Sequence, residues 1–226
     1  MSPSGPPTIR PHVVADHAAQ FDEELGERSA GSQEEQAASQ YVLGHLQQAG
    51  YFVQLDAVPV ANLVESTNLV ALPPNGEEAA TIVCVAYDSS GERAGESVGV
   101  FLELARALYA TEPDHYVEFV ALGAERSAEH LGSRRLAQLL TESERNPGVI
   151  TIVPGSSTDA GARGALAKDI EEAADVAGID LGPPPPLASA GGVDVFAEAG
   201  FDSALVWGSP ADLSAVLLAY LAPPDE

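Results

Sequence analysis

A single cysteine, Cys84, a single lysine, Lys168, and a single tryptophan, Trp207, occur in 226 residues. One thiol excludes an intramolecular disulfide, and Cys84 sits inside an apolar run, where a thiol acts as a small buried hydrophobe. Positive charge is scarce: 10 Lys and Arg stand against 34 Asp and Glu, a formal charge of -24. Such a field repels nucleic acid and anionic membrane and favours a cationic protein or peptide partner or no macromolecular partner. The preference for arginine and alanine fits a GC-rich genome, and an acidic surface also keeps a protein soluble at high salt. No apolar run reaches membrane-spanning length. The segment Met1–Pro7 lacks a charged stretch followed by an apolar one, so the location expected by default is the cytoplasm. There is no Gly-x-Ser-x-Gly elbow, no Gly-x-x-x-x-Gly-Lys and no Gly-x-Gly-x-x-Gly, which removes the usual open-sheet serine hydrolases, P-loop enzymes and dinucleotide enzymes. The loop from Gly91 to Gly99 is glycine-rich but acidic, and would repel phosphate.

Hydrophobic residues make up 45% of the chain, enough for a core. One domain over residues 1–226 is expected, with residues 1–8 disordered. Helical spacing of Val13, Val14, Ala18 and Phe21 predicts an opening helix from Ile9 to Glu24. Ser32, with Glu34 and Glu35 after it, starts a second helix that Gly50 ends. Strands are predicted at Tyr51–Val60, Thr67–Leu72 and Thr81–Tyr87, with a turn at Pro73-Pro74-Asn75-Gly76. Further strands fall at Tyr116–Leu122, from Val149, and at Ser203–Trp207. Helices fall at Ser97–Ala110, Ala128–Leu140, Ala165–Ala177, Val193–Ala199 and Ala211–Leu221. The run Pro183–Pro186 is extended. Alternating strands and helices predict an α/β fold, a three-layer α/β/α sandwich, and the short turn between early strands makes the central sheet mixed.

Five segments carry a resemblance in chain order: Gly26–Ser32, Ile82–Ser89, Leu102–Arg106, Phe119–Glu125 and Leu131–Ser133. Together they resemble the bacterial leucine aminopeptidase and glutamate carboxypeptidase family of two-zinc peptidases, from about Ile9 to the C-terminus. The resemblance implies a zinc-exopeptidase-like fold. It also implies a metal-binding His two residues before Asp88, a Glu-Glu pair at Glu125 and Arg126, an Asp after the next strand, a late His, and a bridging Asp before Leu102. Ala86 stands at the first position and ligates nothing. Glu125 matches the family's general base, but Arg126 replaces a metal-binding carboxylate with a cation. Val153 and Pro154 end the next strand, and Val193 falls on the late His position. For the bridging Asp only Glu92 or Glu96 is in range. His12, His17, His45, His115 and His130 all fall away from these positions and read as surface or helix-end residues.

Two readings follow. In the first the chain is a degenerate, non-hydrolytic member that needs no cofactor and acts by binding or assembly, as the related domains of the transferrin receptor and nicastrin do. Asp88 and Glu125 are then relics held by hydrogen bonds, or Arg126 fills the space of the metal and pairs with one of them, since carboxylates brought together need a counter-charge. In the second the chain is a metal-dependent hydrolase with a carboxylate site from Asp88, Glu96, Glu125 and Asp194, a donor set that suits magnesium, calcium or manganese. Homo-oligomerisation through Phe201 and Trp207 is a further expectation, weighed against plain core packing of the last strand.

Overall fold

The computed structural model describes residues 7–61, 63–73, 78–89, 94–111, 116–126, 128–153, 160–182 and 192–223. Pro11, with a preset φ and no amide hydrogen to satisfy, opens α1 (Pro11–Ala19). The chain then widens into a π-helical turn at Gln20–Glu24, so the expected opening helix is present in two geometries. In α2 (Gln33–Ala49) the Ser32 hydroxyl accepts from the Glu35 amide, and Gly50, left-handed at φ 110°, ends the helix. β1 (Phe52–Ala61) and β2 (Val64–Leu72) pair antiparallel as a hairpin. β3 (Thr81–Ala86), α3 (Gly95–Thr111), β4 (Val117–Leu122), α4 (Leu131–Glu142) and β5 (Gly148–Ile152) follow. The chain closes with β6 (Gly161–Gly164), α5 (Ala167–Ala177), α6 (Val193–Glu198), β7 (Ser203–Trp207) and α7 (Pro210–Leu221).

Among the described residues these strands form one sheet in the order β1-β2-β4-β3-β5-β7-β6. The four central strands β4, β3, β5 and β7 are parallel, and β1, β2 and β6 run antiparallel to their neighbours. The sheet is mixed, as expected, but β2 and β3 do not pair: β4 lies between them. Strand pleating sends Val83, Val85, Phe119, Ala121, Ile150 and Val206 to one face, where they pack with α1, α2, α3, α5 and α7. Ile82, Cys84, Val120, Leu122 and Val149 face the other way, onto Leu136 and Leu140 of α4 and Phe196 of α6. Both faces are covered, which gives the α/β three-layer architecture and explains why β3 and β4 read as unbroken apolar runs. Each buried Val, Leu, Ile or Phe side chain contributes about 1.5–3 kcal/mol.

Several expectations change. β6 has no counterpart in the sequence reading, because Gly-Ala-Arg-Gly carries no strand pattern; it forms because β7 offers an edge to pair with. Phe201 and Trp207 are 7% and 2% exposed, so both side chains pack in the core. The large exposed apolar side chains include Phe52, Leu55 and Leu63 on the β1–β2 hairpin. His17 is buried, against expectation: its Nδ1 lies 2.7 Å from the Tyr41 hydroxyl, and its ring meets His45 edge-on at 4.6 Å. Residues 1–6 and the prolines 183–186 lie outside the described residues, as do Pro74–Gly76, Glu92, His115 and Pro154. The Thr8 carbonyl accepts from Arg106 Nη2 at 2.7 Å.

The adjoining Arg10 grips α3. Its backbone amide, Nε and Nη2 all donate to the Glu103 carboxylate at 2.6–3.1 Å, and Arg106 Nε adds a further bond at 2.9 Å. Glu103 is 1% exposed. Burial alone would raise its pKa, but the bonds from Arg10 and Arg106 outweigh that and bring it down to about 2. Among the described residues no helix is long and apolar enough to cross a membrane.

Candidate functional site

In a sheet with parallel central strands, sites gather at the carboxyl ends. Here those ends carry Asp88 after β3 and Glu125 after β4, the two acids the sequence singles out, and both are buried, at 0% and 2% exposure. Ala86, at the position of the missing His, closes β3 with a methyl group.

The Glu125 carboxylate is occupied by its own protein. Oε1 accepts from the Ser133 hydroxyl at 2.8 Å and the Gly192 amide at 3.0 Å, and lies 2.9 Å from His130 Nδ1. Oε2 accepts from the Ser133 amide at 2.9 Å. Four contacts thus surround the carboxylate, three at Oε1 and one at Oε2. Gly192 reaches this close only because it lacks a side chain, since a Cβ there would run into the Ser133 hydroxyl and Glu125. Among the described residues the Arg126 guanidinium is not a partner of Glu125, and the titratable side chain paired with Glu125 is His130.

Asp88 is held differently. Both of its oxygens accept from the backbone amide of Arg126, at 3.0 and 2.9 Å. The contact that joins Arg126 to Asp88 here is therefore made by the main chain. Beside them lies a third buried acid that the sequence reading passed over as a helix-start residue. Glu35 accepts from the Ala124 amide at 3.0 Å, the Ser66 hydroxyl at 2.5 Å and the Gly31 amide at 2.5 Å. Burial, with Asp88 nearby, raises the Glu35 pKa in spite of these bonds. Asn68 completes the set, accepting from the Gly123 amide at 3.2 Å and donating to the Gly132 carbonyl at 3.0 Å.

Together these side chains pin the segment from Gly123 to Ser133 to the strand ends. The segment needs pinning, because Ala124, Glu129 and His130 all have positive φ, at 50°, 56° and 61°. Left-handed non-glycine residues are strained and persist only where the surroundings over-determine them. This also explains why α4 begins at Leu131 and not at Ala128: two left-handed residues in succession cannot propagate a right-handed helix.

The remaining candidates do not converge. Glu96 is exposed in the first turn of α3. Asp194 is 66% exposed on α6 and pairs with Arg163 at 3.3 Å. Among the described residues no three His, Cys, Asp or Glu side chains are grouped so as to hold a metal ion. His12 is exposed, His45 is half-buried on α2, and His130, far from being remote, touches Glu125.

No family model matches the chain, and no curated protein matches it. Solved structures do. A glutaminyl cyclase from Fimbriiglobus ruber aligns at 16% identity and TM-score 0.80, over 99% of this chain and 98% of its own. A leucine aminopeptidase precursor from Bacteroides thetaiotaomicron aligns at 14% and 0.78, over 98% and 99%. A zinc-dependent exopeptidase from Parabacteroides distasonis aligns at 14% and 0.77, over 97% and 100%. The fold is that of the zinc-dependent exopeptidases. Identity this low establishes architecture and leaves chemistry to the residues present. A zinc-exopeptidase-like site requires nitrogen, sulfur or carboxylate donors grouped around one point. Among the described residues Ala86, Arg126, Val153 and Val193 stand where the resemblance sets donors, and the surviving Glu125 is bound by Ser133, Gly192 and His130. These residues do not fit the metal.

Proposed function

We propose that this chain is a non-hydrolytic protein with an exopeptidase-like fold, acting by binding a ligand or partner or as an assembly unit. One observation carries the reading: the Glu125 carboxylate, at the family's general-base position, accepts hydrogen bonds from Ser133, Gly192 and His130 with 2% exposure. A general base must reach the proton it removes directly or through one water, and here both carboxylate oxygens are engaged by protein donors in a buried setting. Asp88, likewise, serves to hold the Arg126 amide. The fold shared with zinc-dependent exopeptidases and glutaminyl cyclases supports descent of the scaffold and not retention of the reaction.

The test is thermal melting with zinc, manganese or magnesium added, run beside an aminopeptidase assay on amino-acid anilides. A ligand that binds only the folded state raises the melting midpoint. The reading predicts an unchanged midpoint and no turnover. A saturable rise with any of the three ions, together with turnover, would overthrow it in favour of a carboxylate-ligated hydrolase.

A further inference from the structure

A sheet that does not close has two edges, and each edge strand leaves a row of backbone amides and carbonyls without a strand partner. Proteins guard such edges with short strands, charges, prolines or bulges. One edge here, β6, is four residues long, and Ala160 just before it bridges to Leu181. The other edge, β1, runs for ten residues, and among the described residues β2 is its only strand neighbour. The second half of β1 is guarded: Pro59 has no amide hydrogen to donate, and the register with β2 shifts between Pro59 and Ala61. The first half, Phe52 to Val58, is not. Asp56 is the one charged residue in it, and Arg135 of α4 engages that carboxylate, with Nε and Nη2 donating at 2.9–3.2 Å. Phe52 and Leu55 are 69% and 60% exposed, and strand pleating sends them to opposite faces.

We propose that the segment Phe52–Val58 pairs with the same segment of a second copy, antiparallel about a two-fold axis at Leu55, so that the sheet continues from one chain into the next. A two-fold contact needs a patch that complements itself, and in this register the segment does so. Leu55 opposes its own copy, Phe52 opposes Val58, Val53 opposes Ala57, and Gln54 opposes Asp56, so no acid faces an acid. Charge selects a second copy over a basic peptide. Asp56 is already neutralised by Arg135, which leaves the edge no net charge to attract a cation, and two chains of net charge -24 meet at least cost along a neutral strip. Size sets the strength: a strip about 24 Å long and about 10 Å wide buries roughly 500 Å² in total, below the about 1,200 Å² of stable interfaces. The dimer is therefore weak and reversible, with a dissociation constant on the order of 0.1 mM. The inference does not depend on whether Glu125 is catalytic.

The experiment is sedimentation velocity on the full chain from about 10 μM to about 1 mM, at about 0.05 M and about 1 M sodium chloride. The dimer fraction should rise with concentration and rise again with salt, because salt screens the repulsion between two acidic chains. Leu55→Lys sets two ammonium groups opposite each other across the axis and should weaken the dimer by about tenfold or more, although it lowers the overall negative charge. Val176→Lys makes the same charge change at an exposed apolar residue of α5 and should leave the dissociation constant within about twofold of wild type. The register is read by cross-linking: Leu55→Cys should form a disulfide-linked dimer on mild oxidation, whereas Ala57→Cys, whose copy lies about 14 Å away along the paired strands, should not. Both positions are exposed and the native Cys84 is buried, so melting curves of the variants should match wild type. A monomer at every concentration and salt, association that weakens with salt, an unchanged dissociation constant in Leu55→Lys, or equal cross-linking at positions 55 and 57 would overturn the inference.

Discussion

Replacing Glu125 by Gln separates a structural from a catalytic carboxylate. The side chain keeps its size but loses its charge, and one acceptor oxygen becomes a donor. Oε1 faces three partners and Oε2 one, so the best orientation keeps the amide oxygen at Oε1 and turns the NH2 group toward the Ser133 amide. Two donors then face each other in a site with 2% exposure. A buried unsatisfied donor costs about 1–3 kcal/mol, and the bond to His130 loses its charge assistance, for a total of about 2–4 kcal/mol. For a chain of this length each kcal/mol moves the melting midpoint by about 2–4 °C, so calorimetry should show a fall of about 5–15 °C. A residue kept for catalysis behaves in the opposite way, because active-site groups are held at a cost in stability and their replacement is neutral or stabilising. A midpoint within about 1 °C of wild type, or above it, would refute the structural role assigned to Glu125.

Three further outcomes are expected. Gly192→Ala pushes a methyl group onto the Ser133 hydroxyl and Glu125, and should cost about 2 kcal/mol or more in urea unfolding, whereas Gly200→Ala, where no atom stands within 4 Å of a Cβ, pays only for its φ of 92°. The Glu103 pKa falls from its ordinary 4.5 to about 2 under the bonds of Arg10 and Arg106, so its stabilisation is complete above pH 4.5 and lost as pH drops through 2. The wild type should therefore lose on the order of 2 kcal/mol across that window relative to Glu103→Gln, a figure reduced because Arg10 is partly exposed. His17 is lowered to about 4 by burial and then by the neighbouring His45. The unfolded chain takes up this proton near 6.5 and the folded one near 4, so stability drops as pH falls from 6.5 to 4, and His17→Gln should flatten the curve in that interval.

The layered fold was legible because its signals are local. β3, β4 and β7 are short apolar runs bounded by turns, Ser32 and Gly50 sit at the ends of α2, and the expected bounds of β7 match those observed. Pairing was less legible: β2 precedes β3 along the chain but lies beside β4, an order set by the crossover and not by any one segment. β6 depends wholly on the edge that β7 presents. In the site, Asp88 and Glu125 were visible because strand-end acids have fixed positions relative to apolar runs. Their partners were not. Gly192 is 67 residues from Glu125, and Glu35 is 89 residues from Ala124. His130 is near in sequence but reaches back to Glu125 only through two left-handed residues, a turn that propensity disfavours. Ser133 carried the only available hint, as the last residue of the Leu-Gly-Ser segment that shares a motif with the peptidase family.

The most direct test of the central claim is the metal content of protein purified without chelator and dialysed against micromolar zinc, measured by plasma mass spectrometry. The account predicts well under about a tenth of an equivalent per chain, since Glu125 is buried and bound by protein donors and Ala86 and Arg126 offer no ligand. One or two tightly held equivalents, lost on Glu125→Gln, would contradict it and return the chain to the metallopeptidases.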